Sequence, residues 1–184
     1  MEWAIVLPLG AFIALAALFA VVLHRAGRIV KRSREVEGFR YAVSDLTSRI
    51  EVSLAGATSR IDGVRRGQLG PEAIGETVLA AVDAVERYRD EARALHGPPA
   101  ATAIRDGIVV ELERAERALG MVEHGAGILA AVRRGGRELE AQTSIKRGYL
   151  NLLHAREAIS AQAVRAVELE RDARPRRDLL RPSQ

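Results

Sequence analysis

The chain contains no cysteine, which excludes disulfides, thiolate metal ligands and cysteine nucleophiles. Aromatic residues make up only 4% of its 184 residues, although hydrophobic residues make up 48%. The core must therefore consist mostly of Ala, Val, Leu and Ile, and closely paired helices suit such a core better than a thick globular interior. Alternating β-branched runs bounded by turns are also absent, so the sequence predicts an all-α protein.

The charged residues are mostly arginine and alternate with acidic residues along the chain. Lys31 and Lys146 are the only lysines, and the net charge is +4. Interleaved charges of both signs are typical of a solvated helical surface with ion pairs, whereas a nucleic-acid-binding stripe would be basic throughout. We therefore expect no nucleic-acid partner.

No group of residues with the spacing of a known catalytic or cofactor-binding motif is present. The chain lacks a phosphate-binding loop, a nucleophile elbow, a zinc-protease motif and a dinucleotide fingerprint. A di-iron bundle would need Glu-x-x-His pairs, and none occurs; His154 and Glu157 form one His-x-x-Glu pair, for which we expect a surface ion pair. The expectation is a protein without enzymatic activity, metal or cofactor.

The longest uncharged stretch runs from Trp3 to Leu23. As a helix it would be about 32 Å long, which matches the hydrocarbon thickness of a bilayer. We predict a transmembrane anchor over residues 1–24. A cleaved signal peptide is the alternative, but it would need a basic start and a shorter apolar run, whereas Glu2 makes this start acidic.

The residues after the anchor set its predicted orientation. Residues 25–35 form a basic juxtamembrane segment that resists translocation, so the N-terminus is expected outside a cell membrane and the remaining chain in the cytoplasm. We expect these basic side chains to contact anionic lipids; they are Arg25, Arg28, Lys31, Arg32 and Arg34. Gly10 and Ala14 have the four-residue spacing that lets membrane helices pack closely, which makes a homo-oligomer one option.

Apolar residues recur at steps of three and four from residue 36 to 173, which predicts helices over about 30–66, 71–96, 100–134 and 137–173. One option is that the first helix continues directly from the anchor helix. Gly135-Gly136 is the preferred end of the third helix, with His124–Gly127 as the alternative break. The apolar residues on one side of each predicted helix form its stripe. In chain order the four stripes are 36, 39, 43, 46, 50, 54, 57, 61 and 64; 74, 78, 82, 85, 88, 92 and 95; 104, 108, 112, 115, 119, 122, 126, 129 and 132; and 139, 145, 149, 152, 159, 163 and 167.

Short connections between these long helices predict an antiparallel up-down bundle with coiled-coil-like packing over residues 36–173. The fourth helix then returns toward the membrane. Residues 174–184 form a basic tail that either stays loose in solvent or contacts anionic headgroups beside the post-anchor arginines. The basic residues of this tail are Arg174, Arg176, Arg177 and Arg181.

An N-terminal anchor followed by long antiparallel helices within about 185 residues resembles the layout of LemA-type membrane proteins. The Asp-Leu-Ile-Pro-Asn-Leu-like motif of that family is absent from this chain. The resemblance therefore implies an anchored helical bundle and transfers no residue roles.

The sequence favours a single-pass membrane protein whose cytoplasmic bundle acts by protein contact, as a scaffold, assembly factor or adaptor with an unidentified protein partner. One alternative is a signalling module that transmits a change through the long first helix. Another is a ligand-binding or enzymatic bundle, which would need a cavity lined by convergent polar groups.

Overall fold

The computed structural model describes residues 3–131 and 136–173 of the chain; the side chains of residues 3–14, 16, 29, 172 and 173 are outside this description. Within it, the chain forms α1 (Trp3–Arg65), α2 (Gly75–Ala94), α3 (Thr102–Ala130) and α4 (Glu138–Ala173). Short 3₁₀ turns at Pro71–Ala73 and Pro99–Ala101 precede α2 and α3. The described residues contain no strand, so the predicted all-α class is confirmed.

A glycine closes the C-terminus of α1, and prolines begin the turns that precede α2 and α3. Gly67 has a positive φ of 72° and its N–H bonds to the Val64 carbonyl, an arrangement that closes a helix C-terminus and that residues with a Cβ rarely adopt. Pro71 and Pro99 each begin a 3₁₀ turn, where the missing N–H is not needed. These punctuation residues keep the connections short.

The four helices pack antiparallel, each beside its neighbours in the chain. Ser53 of α1 bonds to the Tyr88 hydroxyl of α2 at 2.8 Å, and Arg93 of α2 bonds to Glu113 of α3 at 3.2 Å. Arg40 near the start of the bundle lies 2.6 Å from Glu170 near the end of α4, so α1 and α4 also run in opposite directions. Since α2 and α4 each pack against both α1 and α3, they occupy diagonal corners of the bundle.

The α1 stripe enters the core as predicted. All nine of its residues from Val36 to Val64 are buried, and Leu46, Leu54 and Ile61 are completely enclosed. The α2 and α3 stripes are likewise buried or half-buried wherever they are described, while Val132 lies outside the described residues. The periodicity of large apolar residues therefore identified the inward faces of three helices.

The predicted stripe of α4 is partly wrong. Leu139, predicted in the core, is 75% exposed. Small residues that the prediction ignored occupy the seam instead, because α3 and α4 approach so closely that large side chains do not fit: a Cβ on Gly148 would lie 2.6 Å from the Ala118 carbonyl oxygen, and one on Gly125 would lie 2.7 Å from that of Ala141. The buried α4 stripe contains Ala141, Ile145, Gly148, Leu152, Ala155, Ile159, Gln162, Ala166 and Glu170.

Helix boundaries differ from the predicted ones by a few residues. The third helix continues through His124–Gly127 and ends at Ala130, because Gly125 is covered by α4 and acts as a contact residue rather than a break. The preferred break at Gly135-Gly136 has only Gly136 within the described residues, with a positive φ of 75°. The first helix is one uninterrupted element of 63 residues, about 95 Å long.

The predicted anchor is not supported by the structure. In the part of the chain that the structure describes, no helix has a stretch both long and apolar enough to cross a membrane. Of Trp3–Leu23, only residues 15 and 17–23 have described side chains, so the larger part of the predicted anchor lies outside the described side chains.

Candidate functional site

The part of α1 that precedes the bundle is the candidate functional site, and we call residues 15–35 the α1 extension. Every described side chain from Leu15 to Arg32 is exposed, whereas Val36 is the first buried residue of the helix. Within residues 3–131 and 136–173, no other helix accompanies α1 at this level, because Glu170 near the end of α4 is already level with Arg40. The bundle helices therefore leave the extension open on all sides.

The first part of the extension is apolar around the whole helix. Leu15, Leu18, Phe19 and Leu23 are between 57% and 68% exposed, and Val21 and Val22 are exposed as well. At 100° per residue these positions, together with Ala17 and Ala20, cover every direction around the axis. A helix that is hydrophobic on all sides is normally surrounded by protein core or by lipid.

The second part of the extension is basic. The exposed cations Arg25, Arg28, Lys31, Arg32 and Arg34 occupy about half of the helix circumference. Among the described residues, Lys31 pairs with Glu35 at 4.0 Å, and the four arginines have no carboxylate within ion-pair distance. These unpaired guanidinium groups are available to an anionic surface.

The structure does not describe the side chains of the other residues predicted to contact lipid or a second membrane helix. Arg174, Arg176, Arg177 and Arg181 lie outside the described residues, and the side chains of Gly10 and Ala14 are not described. The contact between Arg40 and Glu170 nevertheless brings the end of α4 to the same end of the bundle as the α1 extension. The proximity of the tail to the basic segment itself stays a prediction, because the tail lies outside the described residues.

Several polar side chains are buried or half-buried where two helices meet. Arg156 of α4 donates to the Thr58 hydroxyl of α1 at 2.9 Å and pairs with Glu51. Thr58 also donates to the Leu54 carbonyl oxygen at 2.8 Å, and the Gln162 side chain lies against Gly107. The Arg156 side chain thus links α4 to α1, and Gln162 of α4 contacts α3.

Sequence reasoning missed the arginine–glutamate pairs that cross the seams. Arg49 pairs with Glu91 between α1 and α2, and Arg89 pairs with Glu116 between α2 and α3. The hydrogen bond from Arg49 to Glu91 raises the pKa of Arg49 above its ordinary value. The alternation of charges along the sequence signals that pairs exist, but partners on different helices follow only from the register.

No group of three His, Asp or Glu residues that could hold a metal occurs among the described residues. The expected pair of His154 with Glu157 is not formed within the part of the chain that is described; His124 lies 3.8 Å from Glu140 instead. Arg137 lowers the pKa of Glu140 by its hydrogen bond, an effect confined to the exposed start of α4.

One groove of about 450 Å³ lies at the loop end of the bundle, far from the α1 extension. Its walls combine apolar residues such as Leu69, Leu129 and Ile145 with the cations Arg65 and Lys146. Of the described residues that line it, none is a carboxylate or a histidine.

The described residues thus define an antiparallel four-helix bundle in which one helix continues well beyond the others. Comparison of the chain with protein-family models, with curated proteins and with solved structures gives no match. The resemblance in layout to LemA-type proteins therefore gains no support from these comparisons.

Proposed function

We propose that this protein is anchored in a membrane by the Trp3–Leu23 part of α1 and acts as a scaffold or adaptor through the faces of its four-helix bundle. The observation that carries the proposal is the α1 extension, which presents apolar side chains in all directions and then unpaired arginines. A hydrocarbon layer covers the first set, and anionic headgroups neutralise the second.

The orientation of the proposed anchor follows from its flanks. Five basic residues follow the apolar stretch within eleven positions, while Glu2 is the single charged side chain before it. The positive-inside rule therefore puts the bundle on the cytoplasmic side and the N-terminus outside. The tail arginines from Arg174 to Arg181 join the basic segment at the headgroups in this proposal.

The test is membrane fractionation of the full chain and of a variant carrying Phe12→Asp and Leu15→Asp, two positions near the middle of Trp3–Leu23. Each introduced charge costs about 2.5–3.5 kcal/mol at the centre of a membrane helix, so the variant is expected to move from the membrane pellet to the soluble fraction. Alkaline extraction should leave the unchanged protein in the pellet.

The matched control is Val52→Asp, which introduces a charge at an equally apolar position, 73% exposed, on the outer side of the bundle. This variant should stay in the pellet, since its charge meets water in either case. Equal partitioning of all three proteins would overturn the anchor. Protease protection of tags at the two chain ends then decides the orientation.

The continuity of α1 favours a second candidate function. A single helix joins the proposed anchor to the bundle core without a break between Trp3 and Arg65. Such a rod transmits a rotation or a shift of the membrane part to the bundle, as a signalling module requires. Since the chain has no native cysteine, a single Val30→Cys protein tests this option: a parallel signalling dimer would cross-link through residue 30, whereas a monomeric adaptor would not.

A further inference from the structure

Two diagonal corners of the bundle carry opposite charges. The outer side of α2 presents Glu76, Asp83 and Glu86 around Leu79, which is 58% exposed. None of the three carboxylates has a cation within ion-pair distance among the described residues, and Arg87 is the neighbouring cation on this side. We call Glu76, Leu79, Asp83 and Glu86 the acidic face.

The outer side of α4 has the complementary character. Lys146, Arg147 and His154 surround Leu150, which is 43% exposed, and Glu157 is the nearest acidic residue further along this side. Lys146 and Arg147 also have no carboxylate within ion-pair distance in the described part of the chain. We call Lys146, Arg147, Leu150 and His154 the basic face.

The two faces lie at the same height in the bundle. Tyr88 of α2 is level with Ser53 of α1, so Leu79, nine residues before Tyr88, is level with about residue 62 of α1. Arg156 of α4 is level with a point between Glu51 and Thr58, so Leu150 is level with about residue 60. The two leucines therefore differ in height by about 3 Å, less than one helical turn.

We propose that the acidic face of one copy binds the basic face of a second copy, so that bundles associate side by side. Unpaired charges of opposite sign occur on these faces, whereas Arg49, Arg89, Arg93 and Arg156 already have partners within the bundle. Leu79 packs on Leu150, and Glu76 and Asp83 pair with Lys146, Arg147 and His154 of the neighbour.

The association is heterologous, because different faces of the two copies meet. Each bundle therefore keeps one free acidic face and one free basic face, and further copies extend the pair into a row. This inference rests on the proposed membrane anchor, which gives all copies the same orientation and brings the two faces to equal height above the bilayer. It gives the proposed scaffold its partner, a second copy of this chain.

The first test uses two single-cysteine variants, Leu79→Cys and Leu150→Cys, in the full chain reconstituted in anionic vesicles. A thiol cross-linker should join the two variants when they are mixed and leave each variant alone largely monomeric. Equal cross-linking in the separate samples would indicate a symmetric contact and overturn the proposal, as would the absence of cross-linking in the mixture.

The second test exchanges charges. One variant carries Glu76→Lys and Asp83→Lys, so that both of its faces are basic; the other carries Lys146→Glu and Arg147→Glu, so that both are acidic. Each charge variant is prepared in a Leu79→Cys form and a Leu150→Cys form. Mixing the two cysteine forms of one charge variant should give at least fivefold less cross-linking than the same mixture without charge exchange. Mixing the Leu150→Cys form of the first charge variant with the Leu79→Cys form of the second should restore the cross-linking. Failure of the mixture to recover while both variants remain helical contradicts the proposed pairing.

Fractionation of the same samples separates this proposal from the anchor. Protein found in the membrane pellet without cross-linking contradicts the side-by-side contact alone. Protein found in the soluble fraction contradicts the anchor alone, and cross-linking of that protein at low salt still reports whether the two faces bind each other.

Discussion

The two parts of α1 have the same helical backbone and opposite surroundings. From Val36 to Val64 one residue in three or four is buried beneath the other helices, and the remaining positions are mostly polar or small. From Leu15 to Leu23 every side is apolar and every described side chain is exposed. The first pattern is that of a bundle helix in water, and the second is that of a helix surrounded by an apolar medium.

This difference shows that the bundle helices do not bury the apolar side chains of the α1 extension. Burying a Leu, Val or Phe side chain contributes about 1.5–3 kcal/mol, and α2, α3 and α4 supply that burial only from residue 36 onward. The exposed residues of the extension gain the same stabilisation only from something outside the bundle, for which we propose lipid.

The sharpest comparison uses one substitution in both parts. Leu54→Ala removes a fully buried side chain and is expected to destabilise the bundle by about 3–5 kcal/mol. Leu18→Ala, in the extension, should leave bundle stability within about 0.5 kcal/mol. Thermal unfolding of the full chain, followed by circular dichroism in neutral detergent, measures both. Equal losses would mean that the extension belongs to the folded core.

A second comparison asks whether cover by a neighbouring helix decides the effect of a substitution. Gly148→Ala forces a methyl group against the Ala118 carbonyl and is expected to cost about 2 kcal/mol. Gly56→Ala, on the open side of α1, meets nothing and should stabilise the helix by up to about 1 kcal/mol. The same unfolding assay gives both values; a neutral Gly148→Ala would show that α3 and α4 separate easily.

A third comparison concerns arginine. Arg156→Gln removes the charged bonds to Glu51 and Thr58 at the half-buried α1–α4 seam, for an expected loss of about 1.5 kcal/mol. Arg28→Gln removes a side chain without an ion-pair partner among the described residues and should not change unfolding. It should instead weaken binding of anionic lipid, measured as the amount of anionic lipid that co-purifies with the detergent-extracted protein. Loss of stability without loss of binding in Arg28→Gln would reverse the roles assigned to the two arginines.

The smallest effect is expected at the far end of the bundle, at Glu140. Because Arg137 lowers the pKa of this carboxylate in the folded state, the pair stabilises the protein above the unfolded pKa of about 4.3, and this contribution is lost as the pH falls through the lower folded value. Glu140→Gln should therefore slightly reduce stability at pH 7, and its difference from the unchanged protein should shrink as the pH falls below the unfolded pKa of the carboxylate. Acid unfolding curves of the two proteins provide the measurement.

The sequence was sufficient to predict the all-α class and the inward face of α1, since large apolar residues at steps of three and four are typical of a helix with one buried side. It was insufficient for α4. Leu139 was predicted in the core and is exposed, whereas Gly148 was not among the predicted core positions although it lies against Ala118 of α3. The spacing between two helices cannot be deduced from either helix alone. Small residues are informative only once the facing helix is known.

The candidate site likewise has features that the sequence reveals and features that only the structure reveals. The basic composition of residues 25–34 is visible in the sequence, and the structure adds that the basic side chains are exposed; their contact with lipid stays a prediction. The acidic and basic faces could not be predicted, since Glu76 and Lys146 are seventy positions apart and share a height only through the register of α1 with both helices. Alternating charges do not indicate which residues find partners within the bundle.

The single tryptophan provides the most direct measurement of the central claim. Trp3 is the only tryptophan of the chain and stands at the outer edge of the proposed anchor, where tryptophan prefers the interface between headgroups and hydrocarbon. In vesicles its fluorescence should shift to the blue and be quenched by lipids brominated near the headgroup more than by lipids brominated at the chain end. Emission typical of water, with no quenching by either lipid, would contradict a membrane-spanning α1.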